Sequence, residues 1–149
     1  MIINGNKSAA KLREDLKKKI IDLKSTFNSV PSLTVILVGE NPASKIYVKN
    51  KEKFSKEVGM NSEVLRYPEN VDESVILEKI VELNKNKKIS GILVQLPLPK
   101  HINKKKVIET ILPTKDVDGF HPINVGNLSY GYDSNVPCTP LGCFLLLKE

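Results

Sequence analysis

Four polar residues of this chain are of types that hold ligands and move protons, and each falls at or just beyond the carboxyl end of a predicted strand: Tyr47, Lys51, Gln95 and Asp118. Tyr47 and Lys51 are four apart, so on a helix their phenol and ammonium lie one above the other on one face. Gln95 follows the run Ile92-Leu93-Val94, and Asp118 stands before Gly119. The types are complementary. A lysine amine can take and return a proton, and a glutamine amide can orient that amine without adding charge. A phenol ring can stack on a planar heterocycle, and an ionised carboxylate such as Asp118 can accept two parallel N–H donors from it. Spacing alone carries little weight, because in so lysine-rich a chain a Tyr is often followed four residues on by a Lys on a solvated helix face. Asp before Gly is likewise a common turn pair, and a strand-end Gln often serves backbone groups.

The elements that must position these residues give them more weight. Residues 33–38, Leu-Thr-Val-Ile-Leu-Val, form a continuous apolar run rich in β-branched side chains, the pattern of a central parallel strand buried on both faces. Gly39 breaks the run, Asn41 is an N-cap type and Pro42 suits the first helical position, so a helix starts there. It continues through Phe54 and Val58 to Gly59, a residue suited to a left-handed cap. An amphipathic helix over 7–24, with Leu12, Leu16, Ile20 and Leu23 on one face, precedes the strand and is broken at Pro31 and Ser32.

Residues 62–67 read as a second strand ended by Pro68. Asp72 then caps a helix whose core face is Ile76, Ile80 and Leu83, closing in the Asn/Lys cluster 84–88, and residues 89–95 return to strand until Pro97 and Pro99 stop it. This alternation predicts an α/β fold, three-layer αβα with a mainly parallel sheet. In such a sheet the carboxyl ends of the strands line one edge, where ligands bind, and all four polar residues fall there. A short helix over about 103–112 stops at Pro113, residues 115–119 form a brief strand and turn, and residues 124–135 read as loop. Pro137-Cys138-Thr139-Pro140 opens a last helix, with Thr139 as cap and Pro140 at the first position. Its apolar face of Leu141, Phe144, Leu145 and Leu147 is expected to pack against something outside this sequence.

Composition narrows the class. With 149 residues, 40% apolar and 27% charged, the chain has room for one domain with a core. No apolar run reaches the roughly 18 residues of a membrane span, and the first residues lack the layout of a secretory signal, so a cytoplasmic protein without a membrane partner is expected. Cys138 and Cys143 are spaced as neither a metal pair nor a redox pair, and no metal site is expected. The net charge of +6 comes from lysine runs at 17–19, 85–88 and 104–106. Arginine is limited to Arg13 and Arg66, and no aromatics interleave with the runs, which argues against nucleic acid and leaves a small polyanionic substrate as the partner such a field favours.

Four ordered motifs stand out: Val38-Gly39-Glu40-Asn41-Pro42-Ala43-Ser44-Lys45-Ile46-Tyr47-Val48-Lys49-Asn50-Lys51, Gly91-Ile92-Leu93-Val94-Gln95-Leu96-Pro97-Leu98-Pro99, Lys115-Asp116-Val117-Asp118-Gly119-Phe120-His121-Pro122 and Pro137-Cys138-Thr139-Pro140. Together they resemble the bifunctional methylenetetrahydrofolate dehydrogenase/methenyltetrahydrofolate cyclohydrolase family. The resemblance covers essentially the whole sequence but only the amino-terminal half of a family member. It implies a folate-binding catalytic domain over 1–138, with 139–149 starting an interdomain helix toward an NAD(P)-binding Rossmann domain absent from this chain. By the same resemblance Tyr47 stacks on the folate, Lys51 handles the proton in cyclohydrolase chemistry, Gln95 tunes Lys51 and Asp118 holds the pterin. Pro97 and Leu98 wall the pocket, Ser44 supports the motif helix as part of the substrate site, and Cys138 and Thr139 lie near the nicotinamide.

The intact enzyme so implied oxidises 5,10-methylenetetrahydrofolate with NADP (or NAD) and hydrolyses the methenyl product to 10-formyltetrahydrofolate. Its partners are tetrahydrofolate derivatives and a second copy in a homodimer, and it serves one-carbon metabolism and purine biosynthesis. Two readings compete. Short-chain dehydrogenases also place Tyr and Lys four apart, but they carry a Gly-rich dinucleotide turn after the first strand, where this chain has only Gly39. A chain of this extent could instead be a catalytically idle remnant that binds folate or dimerises.

Overall fold

Residues 3–148 are described in a computed structural model, and their arrangement follows from one strand. β1 (Ser32–Val38) lies in the middle of a three-stranded sheet, with β2 (Asn61–Tyr67) on one side and β3 (Gly91–Val94) on the other, both parallel to it. Val35 is in register with Val64 and with Leu93. Because β1 is paired on both edges and covered on both faces, residues 34–38 are all buried, as the unbroken apolar run requires.

The alternation of side chains sorts the core into two layers. Ile36, Val38, Ile92 and Val94 face α3 (Glu73–Lys85) and α4 (Lys104–Thr110), where Ile76, Ile80 and Val107 are fully buried against them. Val35, Leu37 and Leu93 face the other way, onto Val48 of α2 (Pro42–Val58). α1 (Gly5–Phe27) packs outside α2: Arg13 pairs with Glu57 at 3.0 Å and stands 4.7 Å over the Phe54 ring. The expected three-layer αβα arrangement with a parallel sheet is therefore present. Among the described residues no helix is long and apolar enough to cross a membrane.

α2 is capped as the sequence indicates. Asn41 Oδ1 accepts the Ser44 N–H at 3.0 Å, Pro42 opens the first turn, and Gly59 closes the helix with φ +88°. Other boundaries differ. α1 starts at Gly5 under an Asn4 cap and ends not at Pro31 but at Asn28, whose φ of 49° is the left-handed conformation that asparagine tolerates. Asp72 sits at the N-cap of α3 without a side-chain cap bond; its carbonyl accepts the Val75 N–H at 3.1 Å. β3 and α4 are shorter than expected, although Gln95 N–H still donates to the Ile36 carbonyl at 2.9 Å.

Two expectations are corrected. Residues 124–135 are not all loop: α5 (Pro122–Ser129) occupies the first part, with Pro122 in its first turn and His121 Nδ1 accepting the Ile123 N–H at 3.1 Å. Asn124, Gly126 and Asn127 carry poor helix propensity, and the buried Asn124 shows that tertiary contacts hold this helix. The last helix, α6 (Cys138–Leu147), is capped by the Pro137 position, so Thr139 is not its cap and Pro140 is not its first residue. Proline is tolerated there because the first four N–H groups of a helix have no intrahelical partner. α6 lies beside α1, with Leu145 and Leu146 lining a groove of about 310 Å³ together with Gly5 and Leu12, so part of its apolar surface has a neighbour within this chain. Leu141, Phe144 and Leu145 nonetheless stay 38, 52 and 42% exposed.

Candidate active site

The site begins where β1 hands over to α2. The Asn41 cap fixes the first turn of that helix, and one and two turns later Tyr47 and Lys51 project from it. Tyr47 is 64% exposed, an open ring face at the rim. Lys51 is partly buried and its Nζ donates to Gln95 Oε1 at 3.0 Å, a contact across 44 residues of sequence that joins α2 to the end of β3. The other side of the Gln95 amide donates from Nε2 to the Leu96 carbonyl at 2.8 Å, which fixes which end of the amide meets the lysine.

The same Leu96 carbonyl accepts a long bond, 3.4 Å, from Ser44 Oγ. Ser44 is only 2% exposed, so it acts from beneath, bracing the Gln95-Leu96 segment against the first turn of α2. Beyond it the chain diverges to two sides. Pro97 and Leu98 line a cavity of about 350 Å³ with Gly39, Asn41 and Glu69, whereas Leu96 faces a larger one of about 620 Å³ with Phe120 and Pro122. The Leu96–Pro97 peptide is cis.

Asp118 arrives from the segment that follows a 3-10 turn at Pro113–Lys115 and touches β3 through a single parallel bridge between Ile92 and Asp116. Burial pushes its carboxyl above its ordinary value, the Lys51 charge pulls it back down, and the Asp116 carboxylate adds to the rise. Lys51 and Asp118 therefore share one electrostatic neighbourhood. The expectation of a simply ionised Asp118 is tempered by that upward push. Cys138 belongs to the same neighbourhood: the residue is exposed, but its Sγ turns back 3.7 Å from the Val117 carbonyl. Packing around the sulfur raises the thiol, Asp118 raises it further, and Lys51 opposes. Thr139 follows, exposed, in the first turn of α6.

Lys51, Gln95, Asp118 and Cys138 thus converge, with Ser44 below and Tyr47 a helical turn away. Asp116, His121, Asn124 and Asn135 carry no motif role in the sequence but form a polar cluster around Asp116, two residues from Asp118. Their only signal was that Asp116 stands two residues before Asp118. Among the described residues no group of three or more His, Cys, Asp or Glu side chains is placed to hold a metal.

Fold and site together define a three-layer α/β domain that presents a lysine, its glutamine partner and a carboxylate at the carboxyl edge of a parallel sheet. The family model for the tetrahydrofolate dehydrogenase/cyclohydrolase catalytic domain matches residues 3–118, and the chain belongs to that family. A bifunctional protein FolD of Pelagibacter ubique is 64% identical over 149 residues, all of this chain and 53% of the relative. The bifunctional methylenetetrahydrofolate dehydrogenase/cyclohydrolase FolD of Campylobacter jejuni superposes with a TM-score of 0.95 at 48% identity, over 99% of this chain and 52% of that one. A Trypanosoma brucei methylenetetrahydrofolate dehydrogenase-cyclohydrolase, solved with NADP and an inhibitor, gives a TM-score of 0.95 at 30% identity, over 99% and 51%. The chain spans about half the length of the curated relatives it matches.

Proposed function

We propose that this chain is the folate-binding catalytic half of an enzyme that oxidises 5,10-methylenetetrahydrofolate to the methenyl form with NADP or NAD and hydrolyses that product to 10-formyltetrahydrofolate. The observation that carries the reading is the 3.0 Å bond from Lys51 Nζ to Gln95 Oε1 at the sheet edge. Hydrolysis needs proton management. As water adds to the methenyl carbon, a proton must leave its oxygen, and as one carbon–nitrogen bond of the ring breaks, that nitrogen must gain one. Lys51 Nζ is the group at this edge suited to carry the first proton from the water to that nitrogen, the remaining hydroxyl proton leaves to solvent as the formyl carbonyl forms, and the Gln95 carbonyl aims Nζ without adding charge. Tyr47 offers a ring face for the folate, and Asp118 accepts N–H donors of the pterin.

The nicotinamide cofactor supplies the hydride acceptor for the oxidation. Of the described residues, Cys138, which shares the neighbourhood of Lys51 and Asp118, and Thr139 after it suit its nicotinamide edge. The turn after β1 reads Gly39-Glu40-Asn41-Pro42, which is no cradle for a dinucleotide's phosphates, so no step of hydride transfer is assigned to these side chains. On this reading the domain spans 1–138 and residues 139–149 lead toward the cofactor domain. The intact enzyme is a cytoplasmic homodimer of one-carbon metabolism that supplies purine biosynthesis.

The test is hydrolysis of 5,10-methenyltetrahydrofolate by this chain without nicotinamide, beside the Lys51→Ala variant. Turnover that falls at least about a hundredfold in the variant, with folate affinity kept, is expected of a group that moves the proton. Binding without turnover by the wild-type chain would favour the idle remnant, and equal rates in both proteins would remove Lys51 from the chemistry.

A further inference from the structure

Asp116 is a buried carboxylate that the chemistry above leaves unused. It is 3% exposed, and its Oδ2 accepts the His121 N–H at 2.8 Å and the Asn124 amide at 2.9 Å. Both donors are neutral. Burying a charge is costly, and one hydrogen-bonded only by neutral groups is a cost that a small apolar residue at the same place would not incur. The geometry shows what is obtained in exchange. The bond from His121 back to Asp116 closes a tight loop whose apex carries Asp118 and Gly119.

The same residue is held from two further directions. Its backbone forms the parallel bridge to Ile92 of β3, and its carbonyl accepts the Asn135 side-chain amide at 2.8 Å. Asn135 also presses on the apex from outside: Gly119 has φ +67°, and a Cβ there would stand 2.5 Å from the Asn135 carbonyl oxygen. Ser134 Oγ donates to the Asn124 carbonyl at 2.9 Å, so the 134–135 segment is tied down at both residues. The turn that bears Asp118 is thereby clamped between β3 beneath and this segment above.

We infer that Asp116 and Asn135 are positioning residues, a latch that fixes the 116–121 turn on β3 and holds Asp118 beside Lys51. Neither needs to touch substrate; both act through Asp118. The functional consequence rests on the folate reading of Asp118, whereas the latch itself is a property of the fold.

The two are separated by measuring both in the 149-residue chain. Backbone hydrogen exchange over 117–121 reports the latch, and the dissociation constant for 5-formyltetrahydrofolate, a stable probe, reports its use. Asp116→Ala is expected to speed exchange in the turn and to weaken the probe, each at least about tenfold, with β1 still protected. Asp116→Asn keeps an acceptor oxygen for both donors and is expected to return both readouts to within about threefold of wild type, a rescue that general loss of stability would not give. Asn135→Ala should release the same amides without unfolding the sheet, and it decides the matter if Asp116→Ala does not fold. Turn exchange at the wild-type rate in Asn135→Ala, or equal damage in Asp116→Ala and Asp116→Asn, overturns the latch. If the wild-type chain fails to bind the probe, the folate reading falls, while the exchange data still decide the latch.

Discussion

Asp118 is placed under two opposed demands. On the proposed folate reading it must be ionised to hold a pterin through its N–H groups, yet burial favours its protonated form, the Lys51 charge only partly offsets that, and the Asp116 charge adds to it. The sign of the consequence for stability follows. A carboxyl whose folded value is raised above its unfolded one makes the fold relatively more stable below the unfolded value, and that advantage is lost as pH rises through the folded value. Asp118→Asn, which cannot ionise, is therefore expected to melt higher than wild type at neutral pH while binding the folate probe more weakly. The difference in melting should narrow as pH falls toward the carboxylate range, because wild-type Asp118 is then protonated too. A gap of constant size from neutral to acid pH would show that charge is not its cause. Probe affinity in wild type should likewise decline as Asp118 takes up its proton.

At the scale of elements, the parts that could be read from the sequence were those whose local signals agree with their tertiary role. β1 is apolar because it is buried on both faces, and Asn41, Pro42 and Gly59 punctuate α2 as isolated peptides would. α5 is not legible in the sequence because its residues are helical only in context: Asn124 is held by the Pro113 carbonyl and Asp116, contacts that leave no local signal. The Lys51–Gln95 pair could be expected from the sheet edge, whereas the latch could not, since it depends on where the irregular segments at Asp116 and Asn135 meet in the fold.

The same distinction yields a test of how strand and turn are coupled. A Cβ on Gly91 would stand 2.3 Å from Val117 Cγ1, and Val117 directly precedes Asp118. Gly91→Ala should cost about 1–3 kcal/mol by overpacking and also weaken the folate probe, because relief requires the turn to lift. Gly142→Ala, in α6 with nothing within 4 Å of the added carbon, is the control and should be neutral or slightly stabilising. Lost stability in Gly91→Ala with unchanged probe affinity would mean that the turn moves independently of β3.

For the whole molecule, the order β2-β1-β3 with parallel pairing brings two distant stretches of sequence, α2 and the end of β3, to one edge, and the alternation of apolar runs already required that outcome. What the sequence shows less directly is the use of the surplus charge. The net charge of +6 is spread over lysine-rich helices, and several lysines are matched locally, such as Lys56 by Glu52 at 2.8 Å and Lys106 by Glu73 at 2.9 Å. Such pairs are solvated and contribute little to stability. The remainder gives a net positive field, which on the proposed folate reading would attract the glutamate carboxylates of the substrate, and salt screens such an attraction over a Debye length of roughly 10 Å at ~0.1 M.

The Lys51–Gln95 contact spans 3.0 Å and is partly buried, so the same salt should scarcely affect it. Raising ionic strength from about 0.02 to about 0.5 M is therefore expected to weaken the Kd of the folate probe several-fold, mostly through slower association, while hydrolysis at saturating substrate changes less than about twofold. Stopped-flow binding and single-turnover hydrolysis on the same preparations separate the two terms. If saturated turnover falls in parallel with affinity, the field is acting on the chemical step itself, and the division between a steering surface and a screened Lys51 site is wrong.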